Sequence, residues 1–183
     1  KSLGANTICF NPLNEFSRNR IVPTEEDDYF RNQKVHGYVH DMGAAMLGGV
    51  CGHAGLFASA NDLAKLMQML LQKGEYGGKR YLSSAVIDRF TQCVNCPENR
   101  RGIGFDKPEM DENKIGPTCS GISGNSFGHT GFTGTFAWVD PDENIVYVFL
   151  SNRTYPESGN RKILEMDIRT NIQKEIYQAL IRN

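Results

Sequence analysis

A chain of 183 residues with 20 basic and 21 acidic side chains has a formal net charge of −1, which directs no face toward nucleic acid or an anionic membrane. That length suits one domain or a piece of one. No apolar segment approaches the ~20 residues that a membrane-spanning helix needs. No signal peptide opens the chain, an absence that is uninformative if the chain begins within a longer protein.

Residues 1–35 are polar and irregular, broken by Pro12 and Pro23, and no helical period persists there. The run Glu25-Glu26-Asp27-Asp28 reads as a solvated loop rather than a metal site. His36 and His40 are spaced i, i+4, but no Glu follows His36 and Gly37 disfavours a helix, so the spacing does not predict zinc. Asp41 to Leu47 reads as a short helix, with Asp41 as N-cap and Gly48-Gly49 ending it. The glycine-rich loop "GGVCGHAGLF", 48–57, holds His53. It is not a phosphate loop, because no Gly-Lys-Ser/Thr follows, and no strand precedes it as a dinucleotide fingerprint requires.

Ser59 predicts the start of a clear helix with Asp62 at the capping-box position. Leu63, Leu66, Met67 and Leu70 follow helical spacing, and Gly74 ends the segment. Ser83 starts a second helix carrying Val86, Ile87 and Phe90. Residues 91–126 are mostly polar and rich in Gly and Pro, and only Gly102–Phe105 reads as a short strand. A loop region this long lines a site or lacks a partner. The five cysteines, an odd number, leave at least one outside any pairing within the chain. Cys93-Val94-Asn95-Cys96 is a lone CxxC with no second pair and no trailing histidines, which predicts neither a zinc site nor a redox centre.

The most patterned stretch is "SFGHTGFTGTFAWVDPDENIVYVFLSNR", 126–153. It predicts two antiparallel strands, 128–139 and 145–152. In the first, Phe132, Phe136 and Trp138 share one face and Thr133, Thr135, Ala137 and Val139 the other. Asp140-Pro141-Asp142-Glu143-Asn144 is the turn. Ile145 to Leu150 is apolar on both faces, the pattern of a central strand covered by helices. Gly128, Gly131 and Gly134 recur every third residue and point to a bulge or to close approach by another backbone or a ligand. An amphipathic helix on Ile168, Ile172, Ile176, Ala179 and Leu180 closes the chain and is expected to pack on the sheet. The order of elements is α+β, with a short antiparallel sheet of about three strands flanked by helices. Gly124-Asn125-Ser126-Phe127-Gly128 spells G-x-S-x-G, but a polar loop precedes it and a strand follows it, the wrong context for a nucleophile elbow.

The HTG triplet His129-Thr130-Gly131 with its hairpin, together with "VHDMGAAMLGGVCGHAGLFASANDLAKLMQMLL", 39–71, resembles the C-terminal part of a serine β-lactamase-like, penicillin-binding-protein-related hydrolase. The closest resemblance is to the esterase and peptidase-like branch, including domains fused behind bacterial family 3 glycoside hydrolases. It runs from about residue 3 to 181 and implies the C-terminal part of a β-lactamase/transpeptidase-like fold. In such a partial domain, 1–35 is an irregular entry, 36–126 a helical and loop part, and 127–183 the hairpin with the last helix. That family uses S-x-x-K and Y-x-N or S-x-N motifs besides K-T-G or H-T-G. No S-x-x-K or Y-x-N occurs here; Ser123-Gly124-Asn125 and Tyr81-Leu82-Ser83 match S-x-N and Y-x-S out of context. The resemblance places the nucleophile and middle motif upstream of Lys1.

The resemblance implies catalytic roles for His129, Thr130 and Gly131, and substrate contacts from Phe132, Thr133 and His53. His129 would donate a hydrogen bond, Thr130 would meet a carbonyl or carboxylate, and Gly131 would let substrate lie along the strand edge. An N–H of Gly131 or Phe132 would supply half of an oxyanion hole. No cofactor is implied. The implied partners are a small acyl substrate (β-lactam, peptide or ester) and the N-terminal half of the same domain. The implied location is periplasmic, secreted or cell-envelope-attached in a bacterium. The alternative is a non-catalytic structural or interaction module that keeps the fold.

Overall fold

The structure is a computed structural model that describes residues 2–96, 98–111 and 113–180. In chain order the elements are β1 (Cys9–Phe10), β2 (Pro23–Asp27), β3 (Gln33–His36), α1 (Met42–Met46), β4 (Leu56–Phe57), α2 (Ala60–Leu71), β5 (Glu75–Tyr76), β6 (Lys79–Arg80), α3 (Ser84–Thr91), β7 (Phe127–Thr130), β8 (Phe136–Asp140), β9 (Ile145–Phe149), α4 (Lys162–Glu165) and α5 (Ile168–Gln178). Short strands pair as β1–β4, β2–β3 and β5–β6, and the principal sheet is the antiparallel meander β7–β8–β9. The fold class is α+β.

The sheet separates two apolar clusters. The pleat sends Phe127, Ala137, Val139, Val146 and Val148 to one face, where they meet Met67, Leu70 and Leu71 of α2 and Ile87 of α3. It sends Phe136, Trp138 and Tyr147 to the other, against Cys119, Ile122 and Tyr177 of α5. Phe136 and Trp138 stack at 5.3 Å, and both are 1% exposed. Buried rings of this size dominate the energetics of such a layer.

The helix signals act as the sequence predicts, with one substitution of partner. Asp41 accepts from Ala44 N–H, Ser59 from Asp62 N–H and Ser83 from Val86 N–H. The reciprocal half of the capping box at Ser59 is not made by Asp62. Thr7 Oγ1 takes the Ser59 N–H at 3.0 Å, and Asp62 turns to Thr7 and Lys65. Gly74, at φ +92°, ends α2 with its N–H on Met69 O.

Several expectations are corrected. Residues 128–139 are not one strand: the chain leaves β7 at Thr130, turns through 131–135 and re-enters as β8. The turn is closed by Gly131 N–H to Thr135 O at 2.8 Å and Gly134 N–H to Gly131 O at 3.0 Å. The second strand ends at Phe149 rather than residue 152. That strand, β9, is covered on both faces but lies at the end of the sheet, and β8 is central. Gly102–Phe105 forms no strand: Gly104 sits at φ +79°, Phe105 meets the sheet through its ring, 5.2 Å from that of Phe127, and the backbone bridge to the sheet is made by the next residue, Asp106, with Gly128. Residues 1–35 are less irregular than their composition suggests, since β2 and β3 form a hairpin within 23–36.

The acidic run is not a solvated loop. Glu25 and Asp27 are buried and both pair with Arg31, at 2.5 and 2.6 Å. In α5, Gln173 and Tyr177 are the buried positions while Ile172 is 40% exposed, so the helix turns a face adjacent to its isoleucine stripe toward the sheet. Cys93 and Cys96 are joined in a disulfide, and Cys51 and Cys119 are thiols.

Candidate functional site

The triplet closes β7: His129 and Thr130 pair with Ala137 and Phe136 of β8, and Gly131 opens the turn. Gly128 gives both backbone groups to Asp106 on the outer edge, with N···O distances of 2.8 and 3.0 Å. By the two-residue period Thr130 faces that same edge. His129 is exposed. Its Nδ1 lies 2.7 Å from Thr130 O, and Nε2 lies 3.2 Å from Arg101 Nη1. A carbonyl only accepts and a guanidinium only donates. The neutral ring therefore holds its proton on Nδ1 and accepts at Nε2. Arg101 in turn reaches Asp106 at 3.6 Å.

Gly131 also leaves room within its own turn: a Cβ there would come within 2.1 Å of Thr135 Oγ1. Arg153 holds the turn from below. Its N–H reaches Thr133 O at 3.0 Å, its Nε–H reaches Phe132 O at 2.6 Å, and its guanidinium lies 4.2 Å from the Phe132 ring centroid. The other neighbour of that exposed ring is the His40 imidazole, stacked at 5.2 Å. The backbone of Thr133 thus serves the turn.

A cleft of about 410 Å³ opens beside the triplet. Thr130, Gly131 and Phe132 line it, as do Arg153, Arg161 and Arg169. Among the described residues none of these three arginines is paired with a carboxylate. Arg153 and Arg169 instead hold backbone carbonyls, Ser158 O at 2.8 Å and Thr135 O at 3.0 Å. Burial, then the proximity of another guanidinium, pulls both below the usual arginine range. The cleft therefore offers concentrated positive charge to an anionic group.

His53 belongs to an adjoining cluster. Its Nε2 lies 2.9 Å from Asp41 Oδ1, and its Nδ1 lies 3.1 Å from Cys51 Sγ. Asp41 follows His40, the residue stacked on Phe132, so the cluster adjoins the turn through one peptide bond. His40 itself contacts Glu25 at 3.1 Å within the Arg31 network. Ser126, the centre of the G-x-S-x-G match, is 0% exposed and is not presented as a nucleophile. No metal-binding group of three or more His, Cys, Asp or Glu side chains occurs among the described residues.

The structure puts His129 and Thr130 at the end of β7 and Gly131, Phe132 and Thr133 in the turn that follows, while His53 belongs to a separate cluster linked to Phe132 through Asp41 and His40. Sequence reasoning missed Arg101, Arg153 and His40. Each lies at least 20 positions from the triplet, and an isolated arginine or histidine in a polar loop gives no local signal.

Comparison with known proteins shows the family and the fold. The family model described as "Beta-lactamase" matches residues 5–168. Proteins of Salmonella enteritidis and Salmonella typhi, provisionally named D-alanyl-D-alanine carboxypeptidase, are 34% identical over 178 residues. The alignment covers 89% of this chain and 40% of each relative, so the chain spans well under half the length of these curated relatives. A crystal structure of a β-lactamase from Mycobacterium bovis superposes with a TM-score of 0.50 at 22% identity, covering 68% of this chain and 45% of that one, which shows the fold. The chain belongs to the β-lactamase family.

Proposed function

We propose that this chain forms the H-T-G wall of the active-site cleft of a serine acyl hydrolase working through an acyl-enzyme. The observation that carries the reading is the 129–133 turn. Its Gly131 N–H is committed to Thr135 O, so of the two N–H groups nearest the triplet, that of Phe132 is the oxyanion donor. Arg153, bound to the carbonyls of Phe132 and Thr133, holds the turn in place before substrate arrives, as preorganised stabilisation requires.

The arginine-lined cleft favours an acyl substrate with a free carboxylate. A peptide ending in one fits the name carried by the Salmonella relatives, and that chemistry belongs to the bacterial cell envelope. His129 accepts at Nε2 from Arg101. To donate to substrate there it must take up a second proton, at the expense of its contact with Arg101. The upstream half of the same domain is the implied source of the serine and lysine, because these 183 residues contain no S-x-x-K.

The test is kinetic. The full-length protein is assayed with nitrocefin, a p-nitrophenyl ester and a peptide ending in D-alanyl-D-alanine, alongside a covalent serine probe. Turnover of a carboxylate-bearing substrate, weakened mainly in KM by Arg161→Gln, supports the reading. Absence of labelling and turnover in the full-length protein would leave the non-catalytic module instead.

A further inference from the structure

The segment 41–53 holds a second constellation that the acyl-hydrolase reading does not use. The thiol of Cys51 lies 3.1 Å from His53 Nδ1, and the other ring nitrogen lies 2.9 Å from Asp41 Oδ1. This is the order nucleophile, base, orienter, in which each member fixes the next. Asp41 is itself fixed, because its carboxylate caps α1 through Ala44 N–H at 2.7 Å. We propose that Cys51, His53 and Asp41 form a covalent-modification site at which the Cys51 thiolate undergoes exchange with low-molecular-weight disulfides.

The charges support a thiolate at this position. The backbone N–H of His53 holds the Cys51 thiol below its ordinary range; burial opposes it, and the charge of the His53 imidazolium adds a smaller lowering. Asp41, and then the sulfur charge, hold His53 above its own. Ala44 N–H and then His53 keep Asp41 below the usual carboxylate range. The groups that face the sulfur are thus His53 from its own loop and, behind it, Asp41 at the start of α1. Strand β1, paired to β4 at the far end of the loop, brings a second thiol, Cys9, and no charge. Cys51 is half-buried and the His53 side chain is 59% exposed, so a small electrophile has access.

A sulfur electrophile suits the site better than a carbonyl. Thiol–disulfide exchange needs no oxyanion cradle, only a thiolate and a proton for the leaving group. The Cys51 sulfur attacks one sulfur of the disulfide, a new S–S bond forms and the old one breaks. The departing thiolate takes the proton of the His53 imidazolium. Cys51 is oxidised and the departing sulfur is reduced, with the disulfide as sole oxidant. Cys119 supplies an internal contrast, because it is 8% exposed and burial pushes its thiol up.

The experiment uses this chain with oxidised glutathione at about pH 6, where an ordinary thiol is almost entirely protonated. Adducts are located by peptide mapping and their rates compared with an unstructured cysteine peptide. Cys51 is expected to carry the adduct, at about tenfold or more the peptide rate, while Cys119 stays unmodified. His53→Gln is expected to reduce the Cys51 rate to that of the peptide. It should also move the midpoint of iodoacetamide alkylation against pH up to about 8.5, the unperturbed thiol value. Circular dichroism establishes that the variant is folded; if it is not, the wild-type alkylation midpoint decides, and the site requires it to lie below that value. Reaction of Cys51 at the peptide rate, an adduct confined to Cys9, or unchanged kinetics in folded His53→Gln would overturn the proposal. Because no serine chemistry enters the assay, its failure leaves the acyl-hydrolase reading standing.

Discussion

Replacing His129 with Ala in the full-length protein should separate binding chemistry from folding. The side chain is exposed, and among the described residues it hydrogen-bonds to Thr130 O and Arg101. Thermal stability is therefore expected to move by no more than about 0.5 kcal/mol, as for surface changes generally. Loss of a positioned group beside the oxyanion donor is expected to lower kcat/KM by about tenfold to a thousandfold. Gly134→Ala should do the reverse to stability. Gly134 lies at φ +99°, and a Cβ there would meet Ser151 Oγ at 2.3 Å and Arg153 at 3.5 Å. Strain of this kind costs roughly 1–3 kcal/mol, readable by thermal or urea unfolding. At this scale the triplet and the helix caps were legible in the sequence because their chemistry is local: a cap acts within three residues. Arg153 was not, because it sits across a hairpin from the carbonyl it holds, and no spacing rule connects the two.

Two elements hang on single buried charges. Asp140, at the end of β8 and 1% exposed, accepts from the hydroxyls of Ser123 and Tyr177 and from backbone N–H groups of the turn. Burial pushes its carboxyl up, but these donors overcome it and hold the group below the usual range. Burial, then the bond to Asp140, drives the Tyr177 phenol far above its usual range. A depressed carboxyl contributes stability that is complete above its unfolded value, about 4, and is lost as pH falls through the folded one. Tyr177→Phe removes one donor, so it should cost about 1–3 kcal/mol at neutral pH and move the acid-unfolding midpoint upward, measured by tryptophan fluorescence of Trp138. At the β2–β3 hairpin, Arg31→Met would leave Glu25 and Asp27 buried without their cation, a loss of roughly 3–5 kcal/mol. The sequence could not show this network. Four consecutive acids look solvated until the strand alternation turns Glu25 and Asp27 inward and Arg31 folds back over them. The 128–139 stretch was misread for a related reason: its alternation of apolar residues continues through the turn, and only the hydrogen bonds of Gly131 and Gly134 reveal the break.

Among the described residues the fold is a meander with α2 and α3 on one face and α5 on the other, joined by three small two-stranded sheets. Trp138→Ala should cost about 3 kcal/mol or more, since the indole is central to the α5 side, and differential scanning calorimetry would read it. The chain by itself is expected to show no turnover of nitrocefin or p-nitrophenyl ester and no labelling at Ser126, which is fully buried; label on that serine would overturn the assignment of the site. The sheet and its covering helices were readable from periodicity, because periodic burial is what the sequence records. The positions of 1–36 and 91–126 were not, because those segments are placed by contacts with distant partners. One such contact is a seam: Asn152 Nδ2–H bonds Pro23 O, Thr154 Oγ1–H bonds Thr24 O, and Glu26 N–H bonds Pro156 O, across about 130 positions of chain. The meander closes through short loops and can form early, whereas the seam must wait for almost the entire chain to be gathered. Its bonds are therefore absent when the folding barrier is crossed, so weakening them accelerates unfolding and leaves the folding rate unchanged. The lifetime of the native state, more than its speed of formation, is set where residues 23–26 are stitched to 152–156.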